Sequence, residues 1–276
     1  MREIDTGTED LLARVDDGVA VLTMNRPARR NAMSGSMTSA LADVLARVEV
    51  ADDVGCVVLT GAGGAFCAGG DVKDMSQAGG GRAGGGRRRS VDEAIHLQRL
   101  NQRATSGRLH EMPKPTIASL PGAAAGAGLS LALACDLRYA AHGAVMTTAF
   151  ARVGFAGDYG GTWFLTHLVG TGKARELYYF SERIDAEEAH RLGIVNAVFP
   201  ADRLEEEVMA RARRLAAGPR IAHRYMKENL NRAELGELGE CLDMEAAHHI
   251  HTGSTEDHRE AAAAFVEKRQ PVFGGR

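Results

Sequence analysis

Cys67-Ala-Gly-Gly-Asp-Val-Lys73 follows an apolar segment, Cys56-Val-Val-Leu-Thr60, that reads as a buried strand. Gly126-Ala-Gly-Leu129 follows a second such segment, Thr116–Leu120. Each is a tight glycine turn, and each is predicted to open a helix. The first N–H groups of a helix have no partner inside it and carry partial positive charge. Small residues are needed where the backbone itself must approach a ligand. Two such turns set side by side aim N–H donors at one point, the arrangement of an oxyanion hole. Either turn alone is more often structural than functional, so the pair carries the weight.

Outward from these turns the chain alternates strands and helices. Leu11–Val15 and Val19–Met24 flank Asp16-Asp17-Gly18, a hairpin signal. Ser34 is placed to cap a helix whose Met37, Leu41, Val44, Leu45 and Val48 form one buried stripe. Residues 78–89, AGGGRAGGGRRR, are low in complexity and are expected to form a mobile loop. Helix is predicted from Val91 to Leu109 and again over Leu129–Cys135, the latter buried all round. Leu137–Ala140 and Val145–Thr148 read as strands. Asp185 and Asp202 each precede a glutamate by three residues, a loose capping box. From Asp202 the chain reads as helix, broken near Gly218-Pro219, Gly236, Gly239 and Gly253. The fold class is therefore α/β, with a strand-bearing core over residues 1–200 and a helical region over 201–276.

The 276 residues suffice for one large domain with a substantial core. A formal net charge of −3 gives no general pull toward nucleic acid or an anionic membrane. Arg29-Arg30 and Arg87-Arg88-Arg89 are short basic clusters that can meet a phosphate. Four cysteines without a CxxC pair indicate neither zinc nor a disulfide framework. No signal-peptide core and no membrane-length apolar run are present, so a soluble cytoplasmic protein is expected.

Other chemistries fit poorly. Gly126-Ala-Gly128 lacks the third glycine and the acidic partner of a dinucleotide fingerprint. Gly128-Leu-Ser-Leu-Ala132 looks like a nucleophile elbow, but Ser130 falls inside a helix rather than on a strand-to-helix turn. There its hydroxyl is expected to bond a carbonyl one turn back. His248, His249, His251 and His258 read as a solvated helix, and no metal is expected.

Taken together, the chain resembles the crotonase, or enoyl-CoA hydratase/isomerase, superfamily over nearly its whole length. The matching pieces are Asn25-Arg-Pro27 with Asn31-Ala32, Val57 to Gly61, Phe66 to Val72, Lys114 to Ile117, Gly122 to Asp136, Gly160-Gly-Thr162, Gly193-Ile-Val195 and Ala264 to Lys268. The resemblance implies a spiral of ββα turns with C-terminal helices that build a homotrimer or a dimer of trimers. It implies an acyl-CoA thioester ligand, with coenzyme A as part of the substrate and no permanently bound cofactor. The two peptide N–H donors to the thioester oxygen fall on Ala68 and Ala127. Coenzyme A would lie along Arg29, Arg30 and Ala32 and along Ala68, Gly69, Gly70, Asp71 and Val72, with Gly126 nearby. Phe265 and Lys268 match a pair near the adenine end.

One departure bears on the reaction. The two glutamates of the resembled hydratases fall on Ser130 and Phe150, neither of which can move a proton as a carboxylate does. Phe155-Ala-Gly-Asp-Tyr-Gly-Gly-Thr-Trp163 supplies a single acid, Asp158, where resembled isomerases carry an aspartate. Read alone, Asp158 caps the following helix; read in the family, it is a proton shuttle. Phe150, Phe155 and Trp163 are expected to wall the site and raise the Asp158 pKa, and Ser130, Phe150, Tyr159 and Trp163 to meet the substrate. The leading expectation is an isomerase acting through an enolate. The alternatives are a hydratase in which Asp158 holds a water, a dehalogenase with Asp158 as nucleophile, and a non-catalytic acyl-CoA-binding protein.

Overall fold

The computed structural model describes residues 1–71 and 90–276. The expectation of a mobile loop over 78–89 lies outside the described residues. In chain order come β1 (Arg2–Ile4), β2 (Leu11–Asp16), β3 (Val19–Met24), α1 (Gly35–Val50) and β4 (Cys56–Gly61). Next are α2 (Val91–Gln102), α3 (Arg108–Glu111), β5 (Thr116–Leu120), β6 (Ala124–Ala125), α4 (Ala127–Leu133), β7 (Leu137–Ala141) and β8 (Val145–Thr147). Then follow α5 (Gly161–Phe180), β9 (Ile184–Asp185), α6 (Ala186–Arg191) and β10 (Ala197–Phe199). Four helices close the chain: α7 (Leu204–Ala216), α8 (Arg220–Ala233), α9 (Leu238–Gly253) and α10 (Glu256–Glu267).

The hairpin forms as expected, with Asp16 opposite Val19. β3, β4, β5, β7 and β10 then run parallel in the order β1-β2-β3-β4-β5-β7-β10. Parallel strands need covered faces, and the alternation along them shows two. Leu22, Leu59, Ala118 and Leu120 face a core closed by α1 and α4. Val21, Val58, Ile117 and Tyr139 face the other way, onto Leu204, Val208 and Ala212 of α7. The first of the C-terminal helices is thus part of the core packing. A second sheet, β6-β8-β9, sits beside the site.

Ser34 caps α1 by accepting the Met37 N–H at 3.1 Å, and the expected stripe is buried. Asp185 caps α6 through the Glu188 N–H at 2.8 Å. Asp202 does not cap: α7 starts after Arg203 with no side-chain cap, one residue later than the pattern suggested. The helix expected over 91–109 is interrupted by a π turn at Arg103–Gly107, where the Thr105 and Ser106 hydroxyls bond the Asn101 and Gln102 carbonyls. α4 starts at Ala127, two residues before the predicted start, and every residue of it is buried. α8 is pinned to the sheet by Lys227, whose Nζ donates to the Leu109 and Lys114 carbonyls and to Asp136 at 3.0–3.2 Å. Among the described residues no helix is long and apolar enough to cross a membrane, and all four cysteines are free.

Candidate active site

The two glycine turns meet backbone to backbone. Cys67 and Ala124 form a parallel bridge, and the Ala125 N–H donates to the Cys67 carbonyl at 2.9 Å. A Cβ on Gly128 would stand 2.5 Å from the Cys67 carbonyl oxygen and 2.7 Å from its sulfur. Gly69 (φ 89°) leaves room for the other turn in the same way, its absent Cβ falling 3.4 Å from the Ala127 nitrogen. Only hydrogen at these two positions lets the chains approach so closely.

A buried asparagine holds the first turn in place. Asn31 adopts φ 57°, a conformation that asparagine tolerates better than most residues. Its Nδ2 donates to the Ala62, Ala65 and Phe66 carbonyls at 2.8–3.2 Å, and its Oδ1 accepts the Arg26 N–H at 2.9 Å. The Cys67 thiol donates to the Asn31 carbonyl at 3.1 Å. The motif containing Asn31 was legible in the sequence; its role as the clamp of the glycine loop was not.

The amide donors differ from expectation at one position. The Ala68 N–H donates to the Arg30 carbonyl at 2.9 Å, so it is already spent. The Gly69 N–H rests on the Cys67 sulfur at 3.4 Å. Among the described residues the Gly70 and Ala127 N–H groups have no partner, and Ala127 opens α4, where the helix dipole adds positive charge. The Ala68 N–H expected as a donor is thus engaged, and the N–H left without a partner among the described residues on that turn is that of Gly70, two residues along. Gly126 (φ 52°) turns the chain into α4, and its own N–H donates to the Thr147 carbonyl at 3.1 Å.

Asp158 lies in a turn between Phe150–Val153 and α5. It is not the helix cap: Gly160 holds that position, and α5 has no side-chain cap. The Asp158 Oδ1 is buried with no hydrogen-bond partner among the described residues. Burial pushes its carboxyl up to about 6, and no cation among the described residues opposes the shift. Among the described residues, the titratable groups coupled to it are acids whose own pKa values are raised. Burial pushes the Cys67 thiol and the Tyr159 phenol each up to about 12, and raises Tyr178 above the usual phenol range. Asp158 is thus a half-buried carboxyl whose pKa burial brings toward the range in which a side chain exchanges protons near neutral pH.

This arrangement has a stability signature. The folded-state value near 6 lies above the ordinary 3.8, so the unfolded chain ionises first as pH rises. The contribution of Asp158 to stability is full below about pH 4 and is lost as pH passes 6. Asp158→Asn is therefore expected to melt a few degrees above wild type at pH 8 and to match it near pH 4, as read by thermal denaturation.

The remaining predicted residues divide. Ser130 is buried in α4, and its hydroxyl donates to the Gly126 carbonyl at 3.3 Å, as expected. Phe150 is buried and stacks on Tyr178, ring centroids 5.8 Å apart at 9°. Tyr159 (φ 49°) anchors the turn to α2: its N–H donates to Gln102 Oε1 at 2.5 Å and its hydroxyl accepts from Asn101 at 2.8 Å. Phe155 is exposed. Trp163 packs with His110, Phe164 and His167 and lines a separate cavity of about 640 Å³ between α5 and α8. It does not wall Asp158, because one step along α5 turns it to another face. Arg29 lies 3.7 Å from the buried Asp71, which Arg26 also contacts at 3.1 Å, so Asp71 orders the basic segment. Arg30 is exposed and Ala32 buried. Val72 lies outside the described residues. Phe265 and Lys268 are exposed on α10 and at its end, without a hydrogen bond, ion pair or ring contact to the site among the described residues.

A parallel sheet thus brings together two glycine turns and a buried carboxyl oxygen that has no partner among the described residues. The chain belongs to the enoyl-CoA hydratase/isomerase family, whose model matches residues 14–276. It is 36% identical over 268 residues to the 1,2-epoxyphenylacetyl-CoA isomerase of Escherichia coli, covering 97% of this chain and 99% of that protein. It is 37% identical over 265 residues to a protein of Rhodobacter capsulatus described as a "Probable enoyl-CoA hydratase", covering 95% and 96%. The crystal structure of an enoyl-CoA hydratase from Bacillus anthracis superposes with a TM-score of 0.88 at 31% identity, covering 97% of this chain and all of that one.

Proposed function

We propose that this chain is an acyl-CoA isomerase that shifts a double bond, or rearranges an aryl-acetyl ring, with Asp158 as its single proton shuttle. The observation that carries this reading is the buried Asp158 Oδ1, without a hydrogen-bond partner among the described residues, on a carboxyl that burial pushes up to about 6. The thioester oxygen accepts from the Gly70 and Ala127 amides. As Asp158 takes a proton from one carbon, the electron pair moves toward that oxygen as an enolate. The same carboxylic acid returns the proton to a different carbon, so composition is conserved. Each oxyanion donor of this type contributes about 3–4 kcal/mol to such a step.

Hydration asks for more. It requires a base to activate water and an acid to protonate carbon. Ser130 has its hydroxyl on a helix carbonyl and Phe150 has no proton to move, so neither takes a glutamate's part. The similarity to the 1,2-epoxyphenylacetyl-CoA isomerase supports the one-carboxylate reading. Coenzyme A is part of the substrate, lying along Arg29, Arg30, Ala32 and the Gly69–Asp71 turn, with no other cofactor required. Exposed Leu238, Leu242, Ile250 and Phe265 on α9 and α10 support a homo-oligomer, a trimer or a dimer of trimers.

A panel of 2-enoyl, 3-enoyl and aryl-acetyl CoA thioesters tests the proposal. At least one ester is expected to convert to a product of identical mass and different retention. A panel that is bound but never converted supports a non-catalytic acyl-CoA-binding protein instead.

A further inference from the structure

Asn101-Gln-Arg-Ala-Thr-Ser-Gly107 carries the end of α2 into the π turn. Such turns are rare inside helices and are frequent at functional sites. Thr105 and Ser106 of the turn are buried, whereas no residue of α2 is. Their hydroxyls donate to the Asn101 and Gln102 carbonyls at 2.7 and 3.1 Å, which fixes the end of α2 against the core. The side chains of the same two residues converge on Tyr159. Gln102 Oε1 accepts the Tyr159 N–H at 2.5 Å, and Asn101 Nδ2 donates to the Tyr159 hydroxyl at 2.8 Å. Consecutive side chains on a helix point about 100° apart, and a tyrosine is long enough to meet one with its amide and the other with its hydroxyl.

The N–H that Gln102 holds belongs to the peptide joining Asp158 to Tyr159. The carbonyl of that same peptide accepts the Gly161 N–H at 3.0 Å. A peptide unit is planar, so holding both of its polar ends fixes the direction in which the Asp158 Cα presents its side chain. The backbone needs this support. Tyr159 stands at φ 49°, with Gly157 and Gly160 also at positive φ, and a left-handed residue other than glycine persists only where its surroundings enforce it. We propose that Gln102, with Asn101 beside it, is a positioning residue for Asp158: the buried π turn sets the end of α2, and α2 holds the peptide that presents the carboxylate. Among the described residues the titratable groups coupled to Asp158 are Cys67 after β4, Tyr159, and Tyr178 of α5, all with raised pKa values. Burial is what raises the carboxyl, so a turn that loosens lets water reach it and lowers its pKa.

The inference rests on Asp158 as the working base, but its test does not require turnover. Protein labelled with carbon-13 aspartate is titrated by NMR, with the Asp158 signal assigned by its loss in D158N. Gln102→Met keeps the length of the side chain and loses the acceptor. Its Asp158 midpoint is expected to fall from about 6 by about 0.5 pH unit or more, toward the ordinary 3.8. On any ester that turns over, kcat is expected to fall about tenfold with KM within about twofold. Gln102→Glu restores an acceptor and should recover kcat to within about threefold, its midpoint staying at or above that of wild type because a second carboxylate can only raise it. Gln102→Ala adds no bulk and repeats the test if methionine disturbs the fold. A midpoint unchanged in both Gln102→Met and Gln102→Ala overturns the proposal whatever the activity, because a contact that serves stability alone would leave it in place. A lowered midpoint in a protein that converts no ester sustains the proposal and refutes the isomerase reading alone.

Discussion

Asp158→Asn is expected to lower kcat by about a thousandfold or more while leaving acyl-CoA affinity within about twofold. The amide has the shape of the carboxyl but cannot accept a proton from carbon. The turn that presents it does not depend on the carboxylate. Its geometry is set by Gly157, Tyr159 and Gly160 at positive φ and by the Tyr159 contacts to α2. The Gly70 and Ala127 amides proposed as donors lie on other segments, so the ester is expected still to bind. Steady-state kinetics with calorimetric binding separates the two quantities. Retained turnover would remove Asp158 from the mechanism.

Gly128→Ala is expected to damage both stability and catalysis. The new methyl would enter the space of the Cys67 carbonyl, Cβ and sulfur, at 2.5–2.7 Å. Backbone cannot swing aside like a long side chain, so one of the two glycine turns must retreat. Overpacking of this kind costs about 1–3 kcal/mol. A retreat of about 1 Å would pull the Gly70 and Ala127 amides out of register with the thioester oxygen, at a cost of roughly a hundredfold in kcat/KM. Urea denaturation and kinetics report the two effects. Gly143→Ala serves as a control, because no atom lies within 4 Å of its Cβ position. If Gly128→Ala matched that control, the apposed turns would not be what sets the site.

Local chemistry made much of the fold readable. The Asp16-Asp17-Gly18 hairpin, the Ser34 cap and the stripe from Met37 to Val48 depend on neighbours in the chain, and all three form. Asp202 failed as a cap because one residue more of turn preceded α7. The site was legible as a class of chemistry but not atom by atom. Whether the Ala68 or the Gly70 N–H remains free depends on the Arg30 carbonyl, which arrives from a distant turn. Trp163 sits close to Asp158 in sequence yet packs with His110 on another face of α5. Tyr178 lies far along the chain yet packs against the positions of Gly157 and Gly161 beside Asp158, on the far side of a break at Gly170 (φ 75°) within α5.

The stability and activity of this site pull in opposite directions. Asn31, Gly128 and Tyr159 fix the frame, whereas Asp158 is half-buried, its Oδ1 without a partner among the described residues, at a cost that grows from about pH 4 to pH 6 and is full above that. That uncompensated carboxyl is the clearest physical sign of function in the chain.

The most direct measurement is the oxygen-18 content of the product. A 3-enoyl-CoA thioester is incubated with the protein in oxygen-18 water, and the acyl chain is weighed by mass spectrometry. The expected product has the composition of the substrate and carries no oxygen-18. A product heavier by one labelled water would contradict single-base isomerisation and establish hydration in its place.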